Sequence, residues 1–156
     1  MTPCVKQLKK SKIEYILHQY AHDESSQSYG EEAAQKLSIA PERVFKTLVV
    51  MSEAKDFAVG IVPVSSMLSM KLMAKALDVK KVMMADAKDV EKISGYVLGG
   101  VSPIGQKKSL KTIIDISAKN FVTVFVSAGK RGLEVELSAE DLKSLINAKL
   151  EAICQS

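Results

Sequence analysis

A short glycine-rich segment is the first place in this sequence where chemistry could occur. Residues 98–106, here called the glycine loop, contain three glycines and a proline after the apolar run from Tyr96 to Leu98. Glycine lets a backbone approach another molecule closely or adopt a positive φ, whereas Pro103 fixes one bend and lacks an amide donor. A rigid loop with free N–H groups suits the binding of a carbonyl oxygen or a phosphate. A cradle for such a group and a plain structural turn are the two interpretations.

One interpretation of the glycine loop can be set aside. The run from Gly100 to Lys107 nearly spells a phosphate-binding P-loop. However, Gln106 stands where that motif requires lysine, and Lys107 stands where serine or threonine should bind magnesium. The sequence therefore argues against a nucleotide hydrolase of the P-loop class.

Lys46 is the second candidate, since it lies inside the apolar segment from Val44 to Val50. Strand alternation places Lys46 on one face with Leu48, and Phe45 and Thr47 on the other. A lysine in such a strand either extends its ammonium group to the rim or serves as a positioned cation for a phosphate or an oxyanion. Both alternatives remain open on the sequence alone.

Ser127 and Glu134 form a third candidate pair. They flank the segment Ala128–Gly132, which contains two glycines, Lys130 and Arg131 and which predicts a hairpin turn. Ordinary turn chemistry with surface charge is one interpretation. The other is that both side chains point into a site at the mouth of a curved sheet.

The sequence lacks the motifs of several common enzyme and metal-binding classes. It contains no GxSxG elbow, no HExxH motif and no CxxC pair, and its two cysteines, Cys4 and Cys154, lie near opposite ends. We therefore expect no metal and no cofactor, and an enzyme of this kind would work by positioning and backbone electrostatics. No apolar run is long enough to cross a bilayer, and the N-terminal residues lack the apolar core of a signal peptide. We expect a cytoplasmic protein without a membrane partner.

The balance of charge is mildly basic. Twenty-two lysines and arginines against 18 acidic residues give a net charge of +4. Lys107/Lys108/Lys111 and Lys130/Arg131 flank glycine-containing loops. Such clusters are ordinarily solvated faces, but a polyanion bound beside the loops would explain their placement.

The pattern of apolar residues predicts one domain, residues 1–156, of the α/β (α+β) class. Seven strands are expected near residues 13–20, 45–51, 57–62, 81–84, 112–116, 121–127 and 133–137. Helices are expected at 3–10, 31–37, 70–77 and 87–93, together with one that begins after Ser138 and carries a stripe through Leu142, Leu150 and Ile153. Residues 22–30 are expected to form a polar loop. Adjacent strands resemble hairpins, so we expect a mixed, strongly curved sheet or barrel with peripheral helices.

Taken together and in order, four segments make the chain resemble the YbaK/EbsC family, relatives of the editing domain of bacterial prolyl-tRNA synthetases. These segments are Val44–Leu48, Gly99–Lys108, Thr112–Asp115 and Val126–Glu134. The resemblance covers nearly the whole chain and is greatest to the free-standing members, which deacylate Cys-tRNA(Pro).

This resemblance implies an enzyme that removes cysteine from proline tRNA, with cysteine on cysteine tRNA as a further substrate. It also implies that the enzyme acts in a ternary complex with prolyl-tRNA synthetase. It implies that Gly99, Gly100 and Val101 hold the ester carbonyl while Lys46 holds the terminal adenosine or its phosphate. The remaining residues implied to bind substrate are Tyr20, Phe45, Thr47, Ser102, Pro103, Ser127 and Glu134. The thiol of the substrate would attack its own ester, which would explain the missing nucleophile. Another amino-acid specificity, such as alanine, and a non-catalytic nucleotide- or RNA-binding module are the alternatives.

Overall fold

A computed structural model describes residues 1–26 and 28–156. Within these residues there are five α-helices: α1 (Pro3–Lys10), α2 (Tyr29–Lys36), α3 (Met70–Leu77), α4 (Ala87–Ser94) and α5 (Ala139–Leu145). Two short 3-10 helices lie at Pro41–Arg43 and Ile116–Asn120. The same residues form eight strands: β1 (Ile16–Gln19), β2 (Phe45–Ser52), β3 (Phe57–Pro63), β4 (Val82–Met84), β5 (Lys111–Asp115), β6 (Val124–Lys130), β7 (Leu133–Leu137) and β8 (Lys149–Glu151).

The strands form two open sheets. The smaller sheet has the order β1-β7-β6 and is antiparallel. The larger has the order β4-β2-β3-β5-β8, with antiparallel pairs around β2 and parallel pairs on both sides of β5. An isolated bridge between Val44 and Phe125 links them. The mixed α/β class is thus confirmed. The alternative of a barrel is wrong because β1 and β6 leave the smaller sheet with two edges and do not close onto the larger one.

The larger sheet is buried on both faces. Phe45 and Val49 of β2 pack in a cluster with α1, α5 and the smaller sheet. Val50 packs on the opposite face with α3, and half-buried Leu48 contacts the same cluster. Strand β2 therefore carries apolar residues on both sides, which is why alternation alone could not assign Lys46 to a core or a solvent face.

The predicted helix starts are correct where a capping side chain is present. Thr2 Oγ1 accepts a hydrogen bond from the amide of Val5 (3.2 Å), and Pro3 opens α1. Ser69 and Ser138 cap α3 and α5 in the same way, at 3.1 and 3.0 Å. Gly95, with φ +83°, ends α4 as predicted. Capping is a local property, so the sequence reveals it directly.

Some predicted boundaries are wrong. Helix α5 ends at Leu145, and Asn147 adopts a left-handed φ of +51° that turns the chain away. Leu150 therefore lies in β8 beside Ile114 of β5, and Ile153 is buried against α3. The apolar spacing that resembled a helical stripe belongs to two different elements.

Two further differences lie near the N-terminus. Strand β1 covers only Ile16–Gln19 of the predicted 13–20. The predicted loop 22–30 ends early because α2 begins at Tyr29, and residue 27 of that loop lies outside the described residues.

Candidate functional site

The glycine loop, the start of β2, the hairpin β6–β7 and the first turn of α2 surround one cavity, here called the Lys46 cavity. Its volume is about 280 Å³, near the lower end of the roughly 300–1,000 Å³ typical of small-molecule sites. Eight of the eleven predicted site residues line it: Tyr20, Phe45, Lys46, Thr47, Gly99, Val101, Ser127 and Glu134. Residues that are 88 positions apart in sequence, Lys46 and Glu134, thus share one concave surface.

The other three predicted residues lie behind the cavity wall. Gly100 packs against the backbone of Lys130, and its amide donates to the carbonyl of Val97 (3.0 Å). Ser102 is fully buried, and its hydroxyl accepts from the amide of Ile104 (3.2 Å). Pro103 lines a separate depression beside α5. These residues hold the shape of the glycine loop and do not face the Lys46 cavity.

Close packing fixes the glycine loop at both ends. Gly99 has φ +90°, and a Cβ atom there would lie 2.5 Å from Tyr29 and 2.6 Å from Arg131. Gly105 has φ +75°, and a Cβ atom there would lie 2.7 Å from the backbone of Pro3. The hydroxyl of Tyr96 donates to the carbonyl of Ile104 (2.7 Å). Only glycine fits at both positions, so the loop presents its backbone in one arrangement.

Two amides of this rigid loop are free to receive a ligand. Within residues 1–26 and 28–156, the N–H groups of Gly99 and Val101 donate to no protein acceptor. Both residues line the Lys46 cavity. A pair of preorganised backbone donors beside a cavity is the arrangement that stabilises a developing oxyanion.

Lys46 supplies a cation to the cavity. Its side chain is half-buried, and among the described residues its ammonium group forms no ion pair. Lys46 also lies near Cys154. Burial and the charge of Asp115 raise the pKa of that thiol to about 12, and Lys46 opposes them. Since it has no carboxylate partner among the described residues, the ammonium group is available to an anionic ligand.

Glu134 supplies a buried carboxyl group to the same cavity. It pairs with Ser127 across the β6–β7 ladder, is only 7% exposed, and has no hydrogen-bond or cationic partner in the described part of the chain. Burial raises its pKa to about 8. Burial, followed by the charge of Glu134, raises the pKa of Tyr20 to about 12. The cavity therefore contains an acid that is poised near neutral pH.

Sequence reasoning missed the contribution of α2 to the cavity. Tyr29, Gly30 and Glu31 line the Lys46 cavity, and a Cβ atom at Gly30 would lie 2.3 Å from Val64. The dipeptide Tyr29-Gly30, inside a segment interpreted as a polar loop, was the one available signal. Close to α2, His22 Nδ1 contacts Glu32 Oε1 at 2.7 Å.

Side chains arranged for covalent catalysis or for metal binding are not seen in the described ranges 1–26 and 28–156. The cavity lining includes neither histidine nor cysteine, and Ser127 Oγ accepts from the amide of Gly129 (3.1 Å) and is not bonded to a base. The same residues hold no group of three potential metal ligands. They also include no helix with the length and apolar character that a membrane span requires.

Comparisons with known proteins give a consistent result. The family model described as "Aminoacyl-tRNA editing domain" matches residues 23–145. A protein of Enterococcus faecalis named "Putative Cys-tRNA(Pro)/Cys-tRNA(Cys) deacylase EbsC" is 37% identical over 152 residues, which cover 97% of this chain and 92% of that protein. YwhH of Bacillus subtilis is 25% identical over 127 residues, which cover 81% and 80% of the two chains.

A solved structure supports the same fold. The crystal structure described as that of "a putative trans-editing enzyme for prolyl tRNA synthetase" has a TM-score of 0.82 to this chain, with 16% identity. The superposition covers 100% of this chain and 99% of that one. At this level of identity the likeness shows that the fold is shared.

Proposed function

Because the chain belongs to the aminoacyl-tRNA editing domain family, we propose that it is a trans-editing deacylase that removes cysteine attached in error to proline tRNA, and also cysteine from its own tRNA. The name of the Enterococcus faecalis relative supports this substrate pair. The proposal rests chiefly on one observation: a single cavity is lined by Lys46 and Glu134, and neither side chain forms an ion pair within residues 1–26 and 28–156.

That observation narrows the class of ligand. Glu134 lacks a cationic partner and Lys46 lacks an anionic one within the described residues, so the cavity fits a ligand with opposite charges at its two ends. A ligand ammonium group beside Glu134 would favour the ionised form of this carboxyl group and lower its raised pKa. An aminoacyl ester of a terminal nucleotide has this character, with an α-ammonium group at one end and phosphates at the other. Lys46 would bind the phosphate side and Glu134 the α-ammonium group. The free amides of Gly99 and Val101 would hold the ester carbonyl between them.

The chemistry proposed for this arrangement needs no nucleophile from the protein. The substrate thiol attacks its own ester carbonyl, the new C–S bond forms, and the C–O bond to the terminal ribose breaks. The thiol proton ends on the released ribose hydroxyl, which leaves a cyclic thioester and free tRNA. The protein contributes the folded substrate geometry and the amide donors that stabilise the oxyanion. The absence of a nucleophile–base pair on the lining of the cavity, within the described residues, supports this route.

A deacylation assay with charged proline tRNA tests the proposal. We expect the wild-type protein to release cysteine, and the Lys46→Ala variant to lose activity by about 10–100-fold, because a hydrogen bond to a charged group such as the phosphate contributes roughly 1.5–3 kcal/mol. Lys6→Ala, an exposed lysine on α1, is a matched control that should keep full activity. Release of alanine in preference to cysteine would instead assign another specificity. Binding of tRNA without release of either amino acid would indicate a non-catalytic RNA-binding module.

We propose further that the protein acts in a ternary complex with tRNA and prolyl-tRNA synthetase in the cytoplasm. The net charge of +4 is small for a protein that would bind tRNA tightly by itself. The affinity for proline tRNA should therefore rise when the synthetase is present. Equal dissociation constants with and without the synthetase would contradict this part of the proposal.

A further inference from the structure

A second concave surface adjoins the Lys46 cavity, and we call it the Lys130 groove. It is open and has a volume of about 420 Å³. Its lining consists of Gln19, Tyr20, Ala21, Lys130, Arg131 and Gly132. Tyr20 lines both surfaces, so the groove and the cavity meet at that residue. Among the described residues that line the groove, two are cationic and none is acidic, which gives this surface a positive potential.

The hairpin β6–β7 holds the two cations in place. The ladder between these strands shifts register between Ser127 and Lys130, and Gly129 and Gly132 adopt φ values of +109° and +87°. A Cβ atom at Gly100 would lie 3.0 Å from Cα of Lys130, so the tip of the hairpin packs directly on the glycine loop. Lys130 and Arg131 are exposed, but their backbone is fixed relative to the cavity.

Arg131 lies on the rim that separates the groove from the cavity. Its guanidinium carbon is 4.1 Å from the centre of the Tyr29 ring, and its Nη2 donates to the carbonyl of Leu98 (3.1 Å). Tyr29 and Leu98 both line the Lys46 cavity. A guanidinium group has five N–H donors, and this hydrogen bond uses one of them. Within residues 1–26 and 28–156, neither Lys130 nor Arg131 forms an ion pair.

We propose that the Lys130 groove binds the backbone phosphates that adjoin the terminal nucleoside of the RNA substrate, so that the RNA strand reaches the Lys46 cavity by passing over Arg131. The inference rests on the proposed function and adds the path of the strand to it. Arginine matches phosphate through paired N–H donors, and Lys130 adds a point charge beside it. The shared residue Tyr20 places the end of the groove where the terminal nucleoside would enter the cavity.

The test compares two substrates with the same reacting ester. One is cysteinyl-tRNA(Pro), and the other is the cysteinyl ester of adenosine, which carries no phosphate. The Lys130→Gln/Arg131→Gln double variant should lose at least about tenfold more kcat/KM on the tRNA than on the adenosine ester, and the Lys130→Gln single variant should keep wild-type kcat/KM on the ester. Loss of two phosphate contacts on a single strand should also reduce the slope of log KM against log salt concentration by about 1.4.

Two controls separate the groove from other effects. Lys130→Gln alone leaves the contacts of Arg131 with Tyr29 and Leu98 in place, so a loss on tRNA in this variant comes from the groove itself. Lys107→Gln/Lys108→Gln removes two exposed cations at the other end of the glycine loop and should leave both substrates unaffected. An equal loss on both substrates in the Lys130→Gln variant, or full activity of the double variant on tRNA, would overturn the inference.

The anisotropy of an uncharged, fluorescently labelled acceptor-end RNA separates this inference from the proposed function. If the wild type releases no cysteine but binds this RNA, and the double variant binds it at least about tenfold more weakly, the deacylase proposal is wrong and the groove is still supported as a phosphate-binding site. If the wild type releases cysteine and the double variant binds the RNA with wild-type Kd, the inference about the groove is wrong and the deacylase proposal is still supported.

Discussion

The free energy of unfolding should fall as the pH rises from 4.5 to 8, because of one group, the buried carboxyl of Glu134, whose pKa burial raises. Burial raises its pKa from 4.5 to about 8 in the folded chain. Below pH 4.5 the group is protonated in both the folded and the unfolded states, so it does not lower the free energy of unfolding there. Between these pH values the unfolded chain releases the proton while the folded chain retains it, which favours unfolding.

The size of this effect follows from the two pKa values. A difference of one in pKa corresponds to about 1.4 kcal/mol, so the interval from 4.5 to about 8 amounts to about 5 kcal/mol at most. Domains of this kind have a total stability of roughly 5–15 kcal/mol. The decline is therefore large enough to measure by urea unfolding at pH 5, 6.5 and 8.

The Glu134→Gln variant isolates the effect, since it has no titratable group at this position and shares every other group with the wild type. Its stability relative to the wild type should rise steadily from pH 5 to pH 8. Glu136→Gln on the same strand is the control. Burial opposes the ionisation of Glu136, but hydrogen bonds from Thr123 and His18 outweigh it and lower the pKa of Glu136. Its stabilising contribution is present above its unfolded pKa and lost only on acidification. A decline as steep in Glu134→Gln as in the wild type would refute the reasoning.

Three further predictions address the loop, the cation and the carboxyl group of the Lys46 cavity. Gly99→Ala should destabilise the fold by about 1–2 kcal/mol because of its positive φ, and by a further 1–3 kcal/mol because the new Cβ atom overlaps Tyr29 and Arg131. Gly95→Ala is the control, since Gly95 also has a positive φ but a Cβ atom there meets nothing closer than 3.6 Å. In a urea titration Gly95→Ala should show only the first of these two losses of stability, and it should keep its activity. Lys46→Ala should change the free energy of unfolding by less than about 1 kcal/mol, because a half-buried lysine with no ion pair contributes little; a large loss of stability would mean that Lys46 is structural. N-acetylation of cysteinyl-tRNA(Pro) should slow its deacylation by the wild type, and Glu134→Gln should discriminate less between the two substrates; equal rates for the wild type on both would remove Glu134 as the ammonium site.

Much of the fold could be predicted from local patterns. The β-branched and apolar runs that form β2 and β3 are buried on both faces, and the caps at Thr2, Ser69 and Ser138 start helices where expected. The extent of α5 could not be predicted, because helical spacing through Ile153 arises by coincidence once Asn147 turns the chain. The family assignment made from four short segments is confirmed by the match over residues 23–145.

The candidate site was partly predictable for a related reason. Lys46 and Gly99 belong to distinctive local motifs, so the sequence alone could predict them as site residues. Tyr29 and Arg131 have no such motif, and their contact exists only because α2, the glycine loop and the hairpin β6–β7 pack together. The amide of Gly100 was expected to face a ligand, but it donates to Val97. Which glycine of a loop offers its N–H group depends on φ and packing, which the sequence does not display.

The most direct test of the proposed chemistry is the rate at which the wild-type protein releases cysteine and serine from the same proline tRNA. The two side chains differ by one atom and are nearly equal in size, so a site that activates water would treat them alike. If the substrate thiol is the nucleophile, cysteine is released rapidly and serine is retained. Equal rates for the two would contradict the account, because the attacking group would then have to come from the solvent or the protein.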